Sequence, residues 1–160
     1  MFQHEVPPEV IDLADLVWRF AGEEPVQAQV ALAWLAKNRS VAARKFAARH
    51  GRDHPVFGDG SVAAACRSIV SESIVFRWSG EEVVTAKKAA PSNENRKFSR
   101  AIAIAWGVLN GDYPDPTTNA IKFHRHDHSP LWSRQAEPSA LIGAYFYYPA
   151  QSGDEVLNHG

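Results

Sequence analysis

Residues 13–39 read LADLVWRFAGEEPVQAQVALAWLAKNR, and the fold turns on how this stretch is divided. Val10, Leu13, Leu16, Val17 and Phe20 recur at helical spacing and predict one amphipathic helix. Val26, Val30, Ala33 and Trp34 predict a second. Between them Gly22-Glu23-Glu24-Pro25 forms a sharp corner. Glycine stops the first helix, and proline suits the first turn of the second, where its missing N–H costs nothing. Two carboxylates at a corner, Glu23 and Glu24, make it a candidate site as well as a connector.

On the N-terminal side, Pro7-Pro8 ends a short lead that cannot be helix interior. On the other side, VAARKFAARH (41–50) either prolongs the second helix or starts another, with Gly51 as its stop. Pro55, Gly58 and Gly60 mark a loop, and Ser61 is placed to cap a short helix over VAAACRSIV. Phe76-Arg77-Trp78-Ser79 follows as an aromatic segment. Residues 93–110 form another helix with Phe98, Ile102, Ala105 and Leu109 on one face, closed by Gly111. Strands are expected from about Ala120 to Tyr148, and the tail beyond Pro149 is polar and peripheral.

The chain has 160 residues, a size that suits one domain (1–160) with its own core. A formal net charge of −1 excludes a general nucleic-acid binder, which needs a basic excess. The basic cluster from Arg39 to Arg52 reads as a solvated helix face. Cys66, the single cysteine, rules out a disulfide framework and multi-cysteine zinc sites; its Ala-rich setting points to a buried structural thiol. No apolar run reaches the ~20 residues that span a bilayer. The first ten residues have neither the basic nor the apolar part of a secretory signal. A protein made in the cytoplasm is expected, reaching any extracellular target through lysis, a partner or a particle.

Trp18, Ala21, Glu24, Pro25, Gln29, Val30, Ala31, Ala33, Asn38 and Arg39 together resemble the opening motif of the SleB-type cell-wall hydrolase family, the spore-cortex-lytic enzymes and their bacterial and phage relatives. Asp115, Pro116, Thr117 and Ala120 resemble the family's Asp-Pro-Thr-Gly-Gly-Ala, with Thr118 and Asn119 where it has two glycines. That exchange should stiffen or reshape the turn. Trp132, Ile142-Gly143 and Tyr145-Phe146-Tyr147 resemble its closing segments, so the resemblance covers about 13–148. It implies a lysozyme-like α+β domain, mainly α, with a small antiparallel sheet near the C-terminus. It also implies peptidoglycan glycan strands as the partner, with no cofactor and no metal, and, for a non-catalytic descendant, phage virion or tail proteins as further partners; charge and hydropathy add no nucleic acid and no membrane. The family's presumed catalytic acid falls on Phe20.

Glycan cleavage needs a carboxylic acid held protonated beside the glycosidic oxygen, and Phe20 cannot supply it. The carboxylates that could stand in are Glu24, Glu23 and Glu72. Glu24 opens a helix, where the dipole favours its ionised form; Glu23 occupies an exposed turn; Glu72 precedes the aromatic segment. Phe20, Phe76, Trp78, His124 and Trp132 are the candidates for lining a glycan groove. Packing in the core is an equally ordinary use of those aromatics. On a strand His124, His126 and His128 would share one face, an arrangement that can bind metal or serve as a polar loop. Asp115 reads as a turn initiator, Asp127 as local charge balance and Glu137 as a loop residue. Two functions follow: a catalytically degenerate domain that binds glycan or serves as a structural part of a phage-like particle, or an active lytic transglycosylase or muramidase using Glu23, Glu24 or Glu72.

Overall fold

The computed structural model describes residues 6–78 and 95–150, with side chains for all of these except 73–78 and 95. Among the described residues four helices come first: α1 (Pro8–Ala21), α2 (Val26–His50), α3 (Val62–Trp78) and α4 (Asn95–Asn110). Three strands follow, β1 (Ala120–Arg125), β2 (Ala140–Ile142) and β3 (Tyr145–Pro149), with a 3-10 turn at Leu131–Gln135 between the first two. The chain is therefore a mainly helical α+β protein with a small antiparallel sheet near its C-terminus, as the sequence predicts. Among the described residues no helix is long and apolar enough to cross a membrane.

Helix α2 is the axis, packed on α1, α3, α4, β1 and β2. Its composition explains this: Ala28, Ala31, Ala33, Ala36 and Ala43 are all buried, and such small side chains let neighbours approach from several sides. Leu13, Val17 and Trp18 of α1, Ile69 of α3, Ile104 and Val108 of α4, and Phe123 and Tyr147 of the sheet close one core around it. Cys66 belongs to that core. Burial pushes its thiol up to about 12, so it is a packing residue and not a nucleophile.

The corner is built a little differently from the expectation. Gly22 ends α1 in the right-handed region, φ −61°, so left-handed freedom is not its use. A Cβ there would stand 2.6 Å from the Trp18 carbonyl oxygen; closeness selects the glycine. Pro25 caps α2 from just outside, its carbonyl accepting the Ala28 and Gln29 N–H groups. Residues 41–50 simply continue α2 to Gly51. The Ser61 hydroxyl accepts the Ala64 N–H, the predicted cap. Helix α3 runs past Val70 to Trp78, because no glycine or proline interrupts 62–78.

The basic stretch is not uniformly solvated. Arg39 is 1% exposed and joins three elements. Its Nε donates to the Ile121 carbonyl at 2.8 Å, Nη1 to Ser68 Oγ at 2.9 Å, and the same Nη1 pairs with Glu72 Oε2 at 2.8 Å.

In the sheet β3 lies between β1 and β2, antiparallel to both. Cross-strand partners share a face, so Arg125, Tyr145 and Ile142 form one row and Phe123, Tyr147 and Ala140 the next, all toward the helices. The row His124, Phe146 and Leu141 is on the other face.

Asp115 organises the turn that feeds β1. Its Oδ1 accepts the Thr117 N–H and hydroxyl at 2.8 and 2.7 Å; its Oδ2 accepts the Asn119 N–H at 2.9 Å and the Asn38 amide at 3.0 Å. Thr118 and Asn119 sit at φ 59° and 65°, left-handed despite their side chains. The turn is thus left-handed at both positions, and the Asp115 bonds hold it. A β-branched residue is costly there, whereas asparagine tolerates it. Thr118→Gly is therefore expected to stabilise by about 0.5–1 kcal/mol after the added unfolded-state freedom is subtracted, raising the melting temperature by about 1–4 °C. Asn119→Gly should change little, and thermal melts of both variants test the difference.

Candidate functional site

The corner meets the sheet at Glu24. Gly143, in the turn between β2 and β3, has φ 62° and approaches so closely that a Cβ would lie 3.0 Å from Ala28 Cβ and 3.3 Å from Glu24 Oε1. The backbone angle favours glycine, and the space left for a Cβ is tight. Two residues on, Tyr145 is buried, and burial pushes its phenol up to about 12. The nearby Arg125 charge opposes that rise and the Glu24 carboxylate adds to it. Tyr145 is therefore a neutral phenol at ordinary pH.

Arg125, opposite Tyr145 in β1, forks onto Asp127 at 3.0 and 2.9 Å. That pair, chiefly through its hydrogen bonds, lowers the Asp127 carboxyl and raises the guanidinium. Gln29, 1% exposed, donates Nε2 to the Glu24 carbonyl at 3.0 Å and so fixes the corner. Its Oε1 is the one buried side-chain acceptor with no partner among the described residues.

Two carboxylates, Glu24 and Asp127, one protonated phenol, one cation paired with Asp127, and an exposed glycine backbone form a set suited to hydroxyl and amide groups. Phe20, 7% exposed, is part of the hydrophobic core beside the corner. Glu23 is exposed, with both oxygens 2.8 Å from Lys97 Nζ. Glu72 is held by Arg39, about 15 Å along α2 from Gln29. The three candidate carboxylates are thus in three settings, and the corner–sheet contact contains Glu24.

His124 and Trp132 are not with Glu24. They lie on the opposite face of the sheet, where Trp132 packs edge-on against His124 and Tyr148 with ring centroids 5.8 and 5.0 Å apart. His124 Nδ1 is 2.7 Å from the Arg125 carbonyl, which can only accept, so Nδ1 carries the proton and Nε2 accepts from the Tyr148 hydroxyl at 2.8 Å. β1 ends at Arg125, and His126 and His128 fall in the turn beyond it, so the three histidines do not line one strand face. No three His, Cys, Asp or Glu side chains converge to hold a metal ion among the described residues. Phe76 and Trp78 are on the last turns of α3, and their side chains, like Ser79 and the tail beyond Ala150, lie outside the described residues.

No family model, no curated protein and no solved structure matches this chain. The chemistry of the corner therefore carries the functional reading. Three of its members, Gln29, Arg125 and Tyr145, were not among the candidate site residues. Gln29 is polar at a position that the helix buries, the one local sign that could have found it. Tyr145 comes within electrostatic reach of Glu24, and Arg125 opposite Tyr145, only through sheet register and long-range docking.

Proposed function

We propose that this chain is a cell-wall hydrolase-like domain that engages peptidoglycan glycan strands at the Glu24–Tyr145 corner without cleaving them, as a glycan-binding or structural component of a phage or phage-like particle. The observation that carries this reading is Phe20. An apolar ring is packed into the core at the place where the resembling family has its acid, while the corner beside it keeps hydrogen-bonding groups of the kind that grip sugars. A domain with grip and no acid anchors rather than cuts, which suits a particle that meets the wall.

The competing reading is an active lytic transglycosylase with Glu24 as its acid. In its favour, Glu24 Oε1 is placed where Gly143 and Tyr145 converge. Against it, the place of the resembling family's acid holds Phe20, an apolar ring that can neither give nor take a proton.

Sedimentation with purified peptidoglycan, followed by mass spectrometry of the supernatant, tests both. Wild type is expected to pellet with the wall and release no muropeptides. The Tyr145→Phe/Arg125→Gln double variant should pellet about tenfold more weakly, the loss of hydrogen bonds to a charged group. Muropeptides that vanish in Glu24→Gln would replace this reading with the catalytic one. A wild type that neither pellets nor cleaves would overturn both.

A further inference from the structure

The sequence holds one Asn-Gly pair, Asn110-Gly111, and it closes α4. Glycine after asparagine matters chemically, because no Cβ shields the backbone nitrogen that can attack the neighbouring amide carbon. Gly111 has φ 84° and takes the left-handed place of a Schellman cap. Its N–H reaches the Val108 carbonyl at 3.1 Å, and the Asp112 N–H reaches the Gly107 carbonyl at 2.7 Å. The Val108 carbonyl also accepts Lys37 Nζ at 3.1 Å, so the Gly111 N–H shares its acceptor. A Cβ built on Gly111 would meet nothing within 4 Å, so the backbone here is open to solvent and base. Helix ends fray and open locally at low cost.

The other asparagines with described side chains are held. The Asn38 amide donates to Asp115 Oδ2 and to the Ala120 carbonyl, both at 3.0 Å, and its successor Arg39 is buried inside α2. Asn119 is followed by Ala120, which is buried and donates its N–H to Thr117 Oγ1 at 3.1 Å. Asn110 is exposed, and its side chain makes no hydrogen bond among the described residues. Asp59-Gly60 has the same glycine, but its electrophile would be a carboxylate, which already accepts the Ser61 N–H at 2.9 Å.

We propose that Asn110 is a site of spontaneous covalent modification that marks the age of the folded chain. The Gly111 nitrogen, its proton taken by hydroxide, attacks Asn110 Cγ, and the new N–Cγ bond closes a five-membered imide. The Cγ–Nδ2 bond breaks, and the nitrogen leaves as ammonia after taking a proton from water, which returns the hydroxide. Water then adds to one of the two imide carbonyls and opens the ring, leaving aspartate or isoaspartate at 110. Either product puts a negative charge at the C-terminal end of α4, where the helix dipole disfavours it. Isoaspartate also lengthens the main chain by one carbon inside the cap. That cap sets the Tyr113 ring over Gly107, too close for any Cβ there, and the Tyr113 carbonyl accepts Trp34 Nε1 of α2 at 3.0 Å. The modification therefore loosens α4 from α2. It involves no residue of the glycan corner and stands whatever that corner does.

The test is an ageing course of the folded, full-length chain in mildly alkaline buffer. Peptide mass spectrometry, with fragmentation that separates aspartate from isoaspartate, reads each asparagine. Asn110 is expected to convert at least about tenfold faster than Asn38 or Asn119, with isoaspartate among the products. Unfolding in urea should speed Asn110 by less than about tenfold, because the fold leaves it open. Aged wild type should melt about 1–4 °C below fresh protein. Asn110→Gln keeps the helix but makes ring closure harder, so it should remove both the new acid and that shift. Equal rates at the three asparagines, urea acceleration of Asn110 beyond about tenfold, or aspartate without isoaspartate would each overturn the proposal. So would isoaspartate at 110 with an unchanged melting temperature, or an Asn110→Gln chain whose melting temperature falls on ageing as far as that of wild type.

Discussion

Replacing Arg39 with alanine is expected to cost about 3–5 kcal/mol and to lower the melting temperature by roughly 6–20 °C. The guanidinium is 1% exposed and fully engaged, with the Ile121 carbonyl, Ser68 Oγ and Glu72 as partners and the Phe57 and Phe123 rings 4.8 and 5.7 Å from its carbon. Alanine would leave a carbonyl and a hydroxyl buried without a donor, which is costlier than never having made the bonds. Arg39→Lys should recover little, since one ammonium cannot reproduce the forked geometry. Arg39→Met combined with Glu72→Leu removes both charges and restores volume, so it should recover a substantial part of the loss. Thermal melts of the three variants check the set. If Arg39→Ala melted within about 2 °C of wild type, the tie between α2, α3 and β1 would not be stabilising.

Arg39 also shows where sequence legibility ends. In the sequence it belongs to a run of cations on a helix, and period alone reads such a run as solvated. Its partner Glu72 is 33 residues away and Ile121 is 82 away, so burial becomes visible only when three elements are packed together. What was legible is what local rules control. The helical periodicities, the corner at Gly22–Pro25, the Ser61 cap, the Asp115 turn and the mainly helical class all follow from residues within a few positions of each other. Boundaries drifted where a rule was silent: nothing in 62–78 breaks a helix, and α3 runs on through the aromatic segment. The candidate site was half legible. Glu24 was found from the corner, but His124 was assigned to its groove because a strand's facing direction is fixed only by register, and register puts His124 behind the sheet. Gly143 reaches Glu24 through a turn whose docking no local pattern encodes, and brings Tyr145 within electrostatic range of it.

The sharpest test of the corner's history is Phe20→Glu. Phe20 is 7% exposed among core residues, so the substitution removes apolar packing and buries a carboxyl. A loss of about 4 kcal/mol or more at pH 7 is expected, lowering the melting temperature by roughly 8–16 °C. Burial raises the carboxyl's pKa in the folded state above its unfolded value of about 4.3. Below that value both states are protonated, and only the packing loss remains. As pH rises, the unfolded chain releases its proton first, so stability falls until the folded pKa is passed and then levels off. The gap between variant and wild-type melting temperatures should therefore be smaller at pH 4 than at pH 7. A gap independent of pH would mean that the new carboxyl is solvated and the site is not the dry one seen around Phe20. The same elevated pKa is what a glycosidase acid needs, because it keeps the proton available near neutrality. Muropeptide release by Phe20→Glu from a wall that wild type only binds would mark the corner as a hydrolase site that lost its acid. Wall binding with no release would place the loss deeper, in the positioning of the sugar against Tyr145 and Glu24, and would leave anchoring as the corner's function.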